Sequence, residues 1–304
     1  MLAGISLTCF TASYTVALAL ELSRMWFRSG MRGAAMLGFA AAGLLAHTLF
    51  LAYRAVTTVG TPLSSEFDWY LIAAWALTVV YLVWTGGQLR APVERRAAVG
   101  LFILPIVLGL VAAAHFVASR EGLPRERALG VWVIIHLALL VSGLVSILVG
   151  FIAGSMELLQ AYRLKHKYVS RAGFRLPSLE RLERSTLRSI YVSCVLLTSG
   201  LATGILLNFI AGRISWTDPT VWRLVVVVAW ELAVAAFVTL YRPARQGRKA
   251  AYLAIASAAV VLASIGLGHL LPSDHGAPPR ETERRNAGAP GPSVVVAFPT
   301  KEPA

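Results

Sequence analysis

The sequence predicts an all-α polytopic membrane protein, a bundle of about eight transmembrane helices with the N-terminus and C-terminus outside. Three observations predict it: composition, the recurrence of long apolar runs, and the uneven placement of basic residues between them. Hydrophobic residues are 57% of the 304 and charged residues only 14%, and mean hydropathy is +0.68. A soluble domain needs a charged exterior, so this composition implies an exterior that meets lipid.

A spanning helix needs roughly 20 mostly apolar residues to cross about 30 Å of hydrocarbon. Runs of that length recur at roughly 2–23, 33–56, 68–89, 97–118, 129–162, 187–212, 220–241 and 250–271. The first lacks a basic leader and a cleavage site followed by a soluble chain, so it reads as a span and not as a signal peptide. The fifth is too long for one simple crossing, and its last turns, through Gln160 and Arg163, extend into water. Residues 1–271 thus form one transmembrane domain. The remainder, 272–304, is rich in Pro, Gly and Ala, has little to bury, and reads as a disordered extracytoplasmic tail.

Basic residues cluster in alternate loops. Arg24, Arg28 and Arg32 follow the first span, and Arg90, Arg95 and Arg96 follow the third. The segment after the fifth carries Arg163, Lys165, Lys167, Arg171, Arg175, Arg181, Arg184 and Arg188, and Arg242, Arg245, Arg248 and Lys249 follow the seventh. The intervening loops at 57–67, 119–128 and 213–219 are poor or balanced in charge. By the positive-inside bias the basic loops face the cytoplasm. The same bias accounts for the net charge of +13, which therefore speaks for a lipid bilayer and not for nucleic acid. Cys9 and Cys194 lie in apolar runs without CxxC spacing and read as packing residues.

With direction assigned, His47, His115, His136 and His269 all fall in the outer halves of their spans. Polar side chains in hydrocarbon are costly and mark ligand sites or pathways. A single histidine there is more often a satisfied packing residue, but imidazole is also an axial ligand of heme iron. On the same side, Trp216 and Trp222 flank Asp218-Pro219. This reads as an interfacial tryptophan belt around a helix start, with Asp218 as N-cap and Pro219 at the first helical position. Its indole faces also offer a platform for a porphyrin. Glu231, mid-way along the seventh span, is neutral or paired with a polar neighbour such as Asn208.

The residues resemble a known family, the integral-membrane cytochrome c assembly proteins (the heme-handling CcsA/CcmC group), with its HemX-like branch. The resemblance runs from about His47 to His269. Its most specific part is Leu164-Lys-His-Lys167, then Leu176-Pro-Ser-Leu-Glu-Arg-Leu-Glu183, leading to Leu196-Leu-Thr-Ser-Gly-Leu-Ala-Thr-Gly204. Pro62-Leu-Ser-Ser-Glu66 with Trp75, Trp132-Val-Ile-Ile-His136, Arg248-Lys-Ala-Ala251 and Gly268-His269 are similar to further family segments. The tryptophan-rich signature is thin: Trp216, Asp218, Pro219 and Trp222 match it, whereas Asn208, Thr217 and Thr220 depart, which favours the HemX-like branch.

The resemblance implies a bacterial cytoplasmic (inner) membrane protein of cytochrome c biogenesis that binds heme b at the outer leaflet. It implies His136 and His269 as iron ligands, Trp216, Asp218 and Trp222 around the porphyrin, and His47 as a weaker cofactor-binding candidate. A partner assembly subunit and apocytochrome c would be its partners, and a heme-lyase component its enzymatic role. Two other readings stand beside it. One is a HemX-like regulator of tetrapyrrole biosynthesis acting through the basic 163–188 segment. The other is a small-solute transporter, against which the sequence shows no inverted repeat.

Overall fold

A computed structural model of the chain describes residues 7–24, 30–58, 62–88, 97–120, 130–167, 174–211, 218–241 and 248–270. Among them are eight helices: α1 (Leu7–Ser23), α2 (Gly30–Thr57), α3 (Glu66–Gly87), α4 (Gly100–Phe116), α5 (Gly130–Lys165), α6 (Leu179–Ala211), α7 (Pro219–Leu240) and α8 (Lys249–Leu270). Six are long and apolar enough to cross a membrane. α1 and α4, with 17 described residues each, are shorter, about 25 Å at 1.5 Å per residue. The 36 residues of α5 run to about 54 Å, so its basic end projects beyond a bilayer. The tail expected at 272–304 lies outside the described residues.

The bundle has two lobes. In the first, Phe10, Tyr14, Leu71, Leu77, Ile103 and Leu104 are buried among α1 to α4. In the second, Ile147, Leu197, Val227, Val228, Ala258 and Val261 join α5 to α8. Ile152 and Met156 of α5 and Leu182 of α6 also enter the first core and tie the lobes together. Large apolar side chains point outward throughout: Val83, Val195, Phe209, Leu240 and Leu262 are each more than half exposed. Water would penalise that surface, whereas lipid does not.

Since lipid is as apolar as leucine, helices in a bilayer hold together by close packing and hydrogen bonds. The α5–α6 pair, the most extensive in the bundle, shows how. A Cβ on Gly143 would come 2.7 Å from Leu197, and one on Gly200 2.6 Å from Leu140. Only glycine permits so close an approach. α6 begins at Leu179, so the last residues of the basic 163–188 segment are helix and not loop. Leu182, Thr186 and Ser189 supply the reason: they recur at helical spacing and are all buried.

Capping fixes two other entries. Ser65 caps α3 in a reciprocal box with Asp68, and Leu63, just before, adopts the left-handed region at φ 54°, a strained setting for leucine. The Asp68 carboxylate also receives Arg54 of α2 through Nε at 2.6 Å and Nη2 at 3.3 Å. Asp218 caps α7 by accepting from the Thr220 amide at 2.7 Å, with Pro219 following in the first turn.

Candidate functional site

His136 lies on the half-buried face of α5, four residues after an exposed Trp132. Its Nδ1 is 2.8 Å from the Gly200 carbonyl oxygen and 3.3 Å from Thr203 Oγ1, both on α6. A carbonyl oxygen only accepts, so Nδ1 carries the hydrogen and the ring's lone pair is on Nε2. The ring is thus oriented by a backbone carbonyl through Nδ1, a hydrogen bond that also fixes its tautomer. Gly204 forms the floor beneath the ring: a Cβ there would lie 2.7 Å from His136 Cε1. The Gly200-x-x-x-Gly204 pair therefore seats the imidazole as well as joining two helices. An i,i+4 glycine pair is legible in a sequence, but which ring it cradles is not.

Helix register relates His136 to the other expected residues. On α5 and α8, Gly150 faces Ala254 and Gly154 faces Ala251. Followed outward along these antiparallel helices, the register sets His136 at the level of Gly268 and His269. On α6 and α7, Ser193 meets Glu231 and Tyr191 meets Thr239, and extending these contacts sets Trp222 opposite the 202–208 stretch of α6. Between α7 and α8, Trp230 donates to Ser257 at 3.1 Å, and a Cβ on Gly268 would run into the Arg223 guanidinium. Arg223 is held in turn by the Pro219 carbonyl and the Thr220 hydroxyl.

His136, Gly204, Trp222, Arg223 and the backbone of His269 thus occupy one level at one end of four adjacent helices. Trp222 is 60% exposed there, and buried Asp218 fixes where α7 begins. Trp216 and the side chain of His269 lie outside the described residues.

His47 is elsewhere. It is fully buried in the first lobe, stacked on Phe10 with centroids 4.2 Å apart, and its Nδ1 is 3.2 Å from the Tyr14 hydroxyl. His115 is exposed, edge-on to Phe116. Glu231 does not pair with Asn208. Its Oε2 is 2.8 Å from Ser193 Oγ, and Asn208 is about four turns further along α6.

The lipid-facing exterior and the polar groups turned inward define a multi-pass α-helical membrane protein. The chain belongs to the cytochrome c assembly protein family: the family's sequence profile, Cytochrome C assembly protein, matches residues 63–267. That span takes in α3 to α7 and all but the last turn of α8, and membership supports a role in cytochrome c biogenesis. Neither the curated proteins nor the solved structures contain a match.

Proposed function

We propose that the chain is a heme-handling assembly factor that binds heme b in the outer leaflet between α5, α7 and α8. His136 and His269 would hold the iron, and Trp216 and Trp222 would pack against the porphyrin. The observation that carries the reading is the donor set. The Nδ1–Gly200 hydrogen bond makes Nε2 the lone-pair nitrogen of His136, and the antiparallel α5–α8 register supports a backbone position for His269 near the same level. Two histidines carried at one backbone level would suit a bis-histidine iron site.

Heme supplies the redox-active iron and the vinyl groups by which it can later be attached to a protein. The chain's own residues do the positioning. Gly200 fixes the His136 tautomer, Gly204 sets the ring's height, and Asp218 anchors the turn that brings Trp222 and Arg223 to the rim. The Arg223 guanidinium is a cation suited to a heme propionate. Delivery to an apocytochrome c through a partner subunit would be the role of a heme held by His136 and His269 beside Trp222 and Arg223.

The test is the pyridine hemochrome spectrum of the protein purified in detergent. Bound heme b that is lost in His136→Ala supports the reading. A heme-free protein, together with unchanged c-type cytochromes in a deletion strain and an altered level of an early tetrapyrrole enzyme, would replace it with the regulatory one.

A further inference from the structure

Glu231 is 1% exposed in the middle of α7, and its Oε1 has no hydrogen-bond partner among the described residues. It borders a cavity of about 10 Å³ lined by Ser146 of α5, Ser189 and Ser193 of α6, and Ser257 of α8, room for about one water. Four hydroxyls around one carboxyl in hydrocarbon are costly unless their hydrogens are all placed, so the hydrogens can be counted.

Ser193 Oγ is 2.8 Å from Glu231 Oε2 and 3.0 Å from the Ile190 carbonyl oxygen. A carbonyl oxygen only accepts, so with an ionised carboxyl the two acceptors share one hydrogen, a weaker three-centre arrangement. If it is protonated, Glu231 donates to Ser193 and Ser193 donates to Ile190, and both are satisfied. Ser257 Oγ accepts from Trp230 at 3.1 Å, which leaves its own hydrogen for another acceptor.

The pattern repeats nearer the basic end of the bundle. There Thr186 Oγ1 is 3.1 Å from Glu157 Oε2 and 3.0 Å from the Leu182 carbonyl oxygen, and Glu157 is 2% exposed. Between the two carboxyls lie Ser189 and Ser146, the latter donating to the Ser189 carbonyl at 3.1 Å. Thr186, Ser189 and Ser193 form one stripe along α6, about 10 Å from first to last. Above it, Leu197, Leu140, Leu144 and Ile147 close the packing toward His136. Among the described residues, Cys194 beside Glu231 and Glu183 beside Glu157 are further titratable groups that act on the pair.

We propose that Glu231 and its serine shell form an intramembrane proton-binding site, filled and emptied through Ser189, Thr186 and Glu157 from the basic end of the bundle. On release the O–H bond of Glu231 breaks and its proton passes to a water. The carboxylate then accepts a hydrogen bond from the Ser193 hydroxyl, whose O–H turns away from the Ile190 carbonyl; uptake is the reverse. This is independent of whether the chain binds heme.

Infrared difference spectroscopy of the full-length protein in liposomes, wild type against the near-isosteric Glu231→Gln, tests it. The wild type should show the carbonyl stretch of a protonated carboxylic acid at neutral pH. That band should shift in heavy water, more slowly in Thr186→Val, and be lost in Glu231→Gln. Dicyclohexylcarbodiimide should label Glu231 in the unmutated protein, so a failure of either variant to fold does not remove the test. A carboxylate band without an acid band overturns the proposal, as does labelling suppressed by sodium ions, which would make the site one for a cation. A band that never exchanges in heavy water makes Glu231 a sealed structural acid, and an unchanged rate in Thr186→Val overturns the route.

Discussion

His136 Nδ1 donates to the Gly200 carbonyl on α6 at 2.8 Å, so one hydrogen bond sets both the tautomer of the imidazole and the contact between the two longest helices. The ring cannot shift without disturbing α6. Gly204→Ala would place a methyl 2.7 Å from Cε1, and overpacking of that kind typically costs about 1–3 kcal/mol. We expect lower thermal stability in detergent with helix content retained by circular dichroism, and a bound-heme spectrum weakened or shifted. An unchanged spectrum would show that the ring's height does not matter.

His47 should behave differently. Its ring is sealed between Phe10 and Tyr14, so Tyr14→Phe, which removes the hydroxyl 3.2 Å from Nδ1, should cost about 1 kcal/mol. His47→Ala should cost more because it opens a cavity. Neither should alter heme content, and a loss of heme in His47→Ala would bring that histidine into the site.

The Arg54–Asp68 pair joins α2 to α3 through two hydrogen bonds onto a carboxylate that is 1% exposed. Removing one partner of a buried pair leaves the other charge unpaired, at a cost of about 3–5 kcal/mol. Arg54 is itself 20% exposed, which puts Arg54→Ala at the lower end of that range. Arg54→Lys should fall between wild type and alanine, since an ammonium cannot reproduce the two-point contact. Resistance to proteolysis in membranes would rank the three.

At the start of α7, Asp218→Ala should cost about 0.5–2 kcal/mol through loss of the N-cap, while Asp218→Asn should keep most of it. If the cap's role is to hold Trp222 and Arg223 at the rim, the alanine variant should also weaken heme binding more than the asparagine variant. Thermal melts and heme content measured on the same preparations separate the two effects.

Much of this was legible in the sequence. Long apolar runs reveal themselves by composition because lipid selects them residue by residue, and all eight expected spans correspond to helices. The Asp218-Pro219 start was equally plain, since capping is local. What the sequence did not reveal depends on which helix faces which. A loop through Arg188 was expected because its charges dominate the reading, yet Leu182 and Thr186 are buried and draw those turns into helix. Glu231 reads from the sequence as neutral or paired with a polar neighbour such as Asn208; the neighbour α6 presents to it is Ser193, which depends on how the helices pack. His47 shares an expected depth with His136 but packs in the other lobe, and depth along a helix does not fix lateral position.

The central claim is that His136 and His269 hold one iron, and the absorption and paramagnetic-resonance spectra of heme bound to the purified protein test it most directly. The account predicts six-coordinate, low-spin ferric heme in the wild type, high-spin heme in His136→Gly and in His269→Gly, and a return to low spin when imidazole is added to either. Low-spin spectra that persist unchanged in both variants would contradict it.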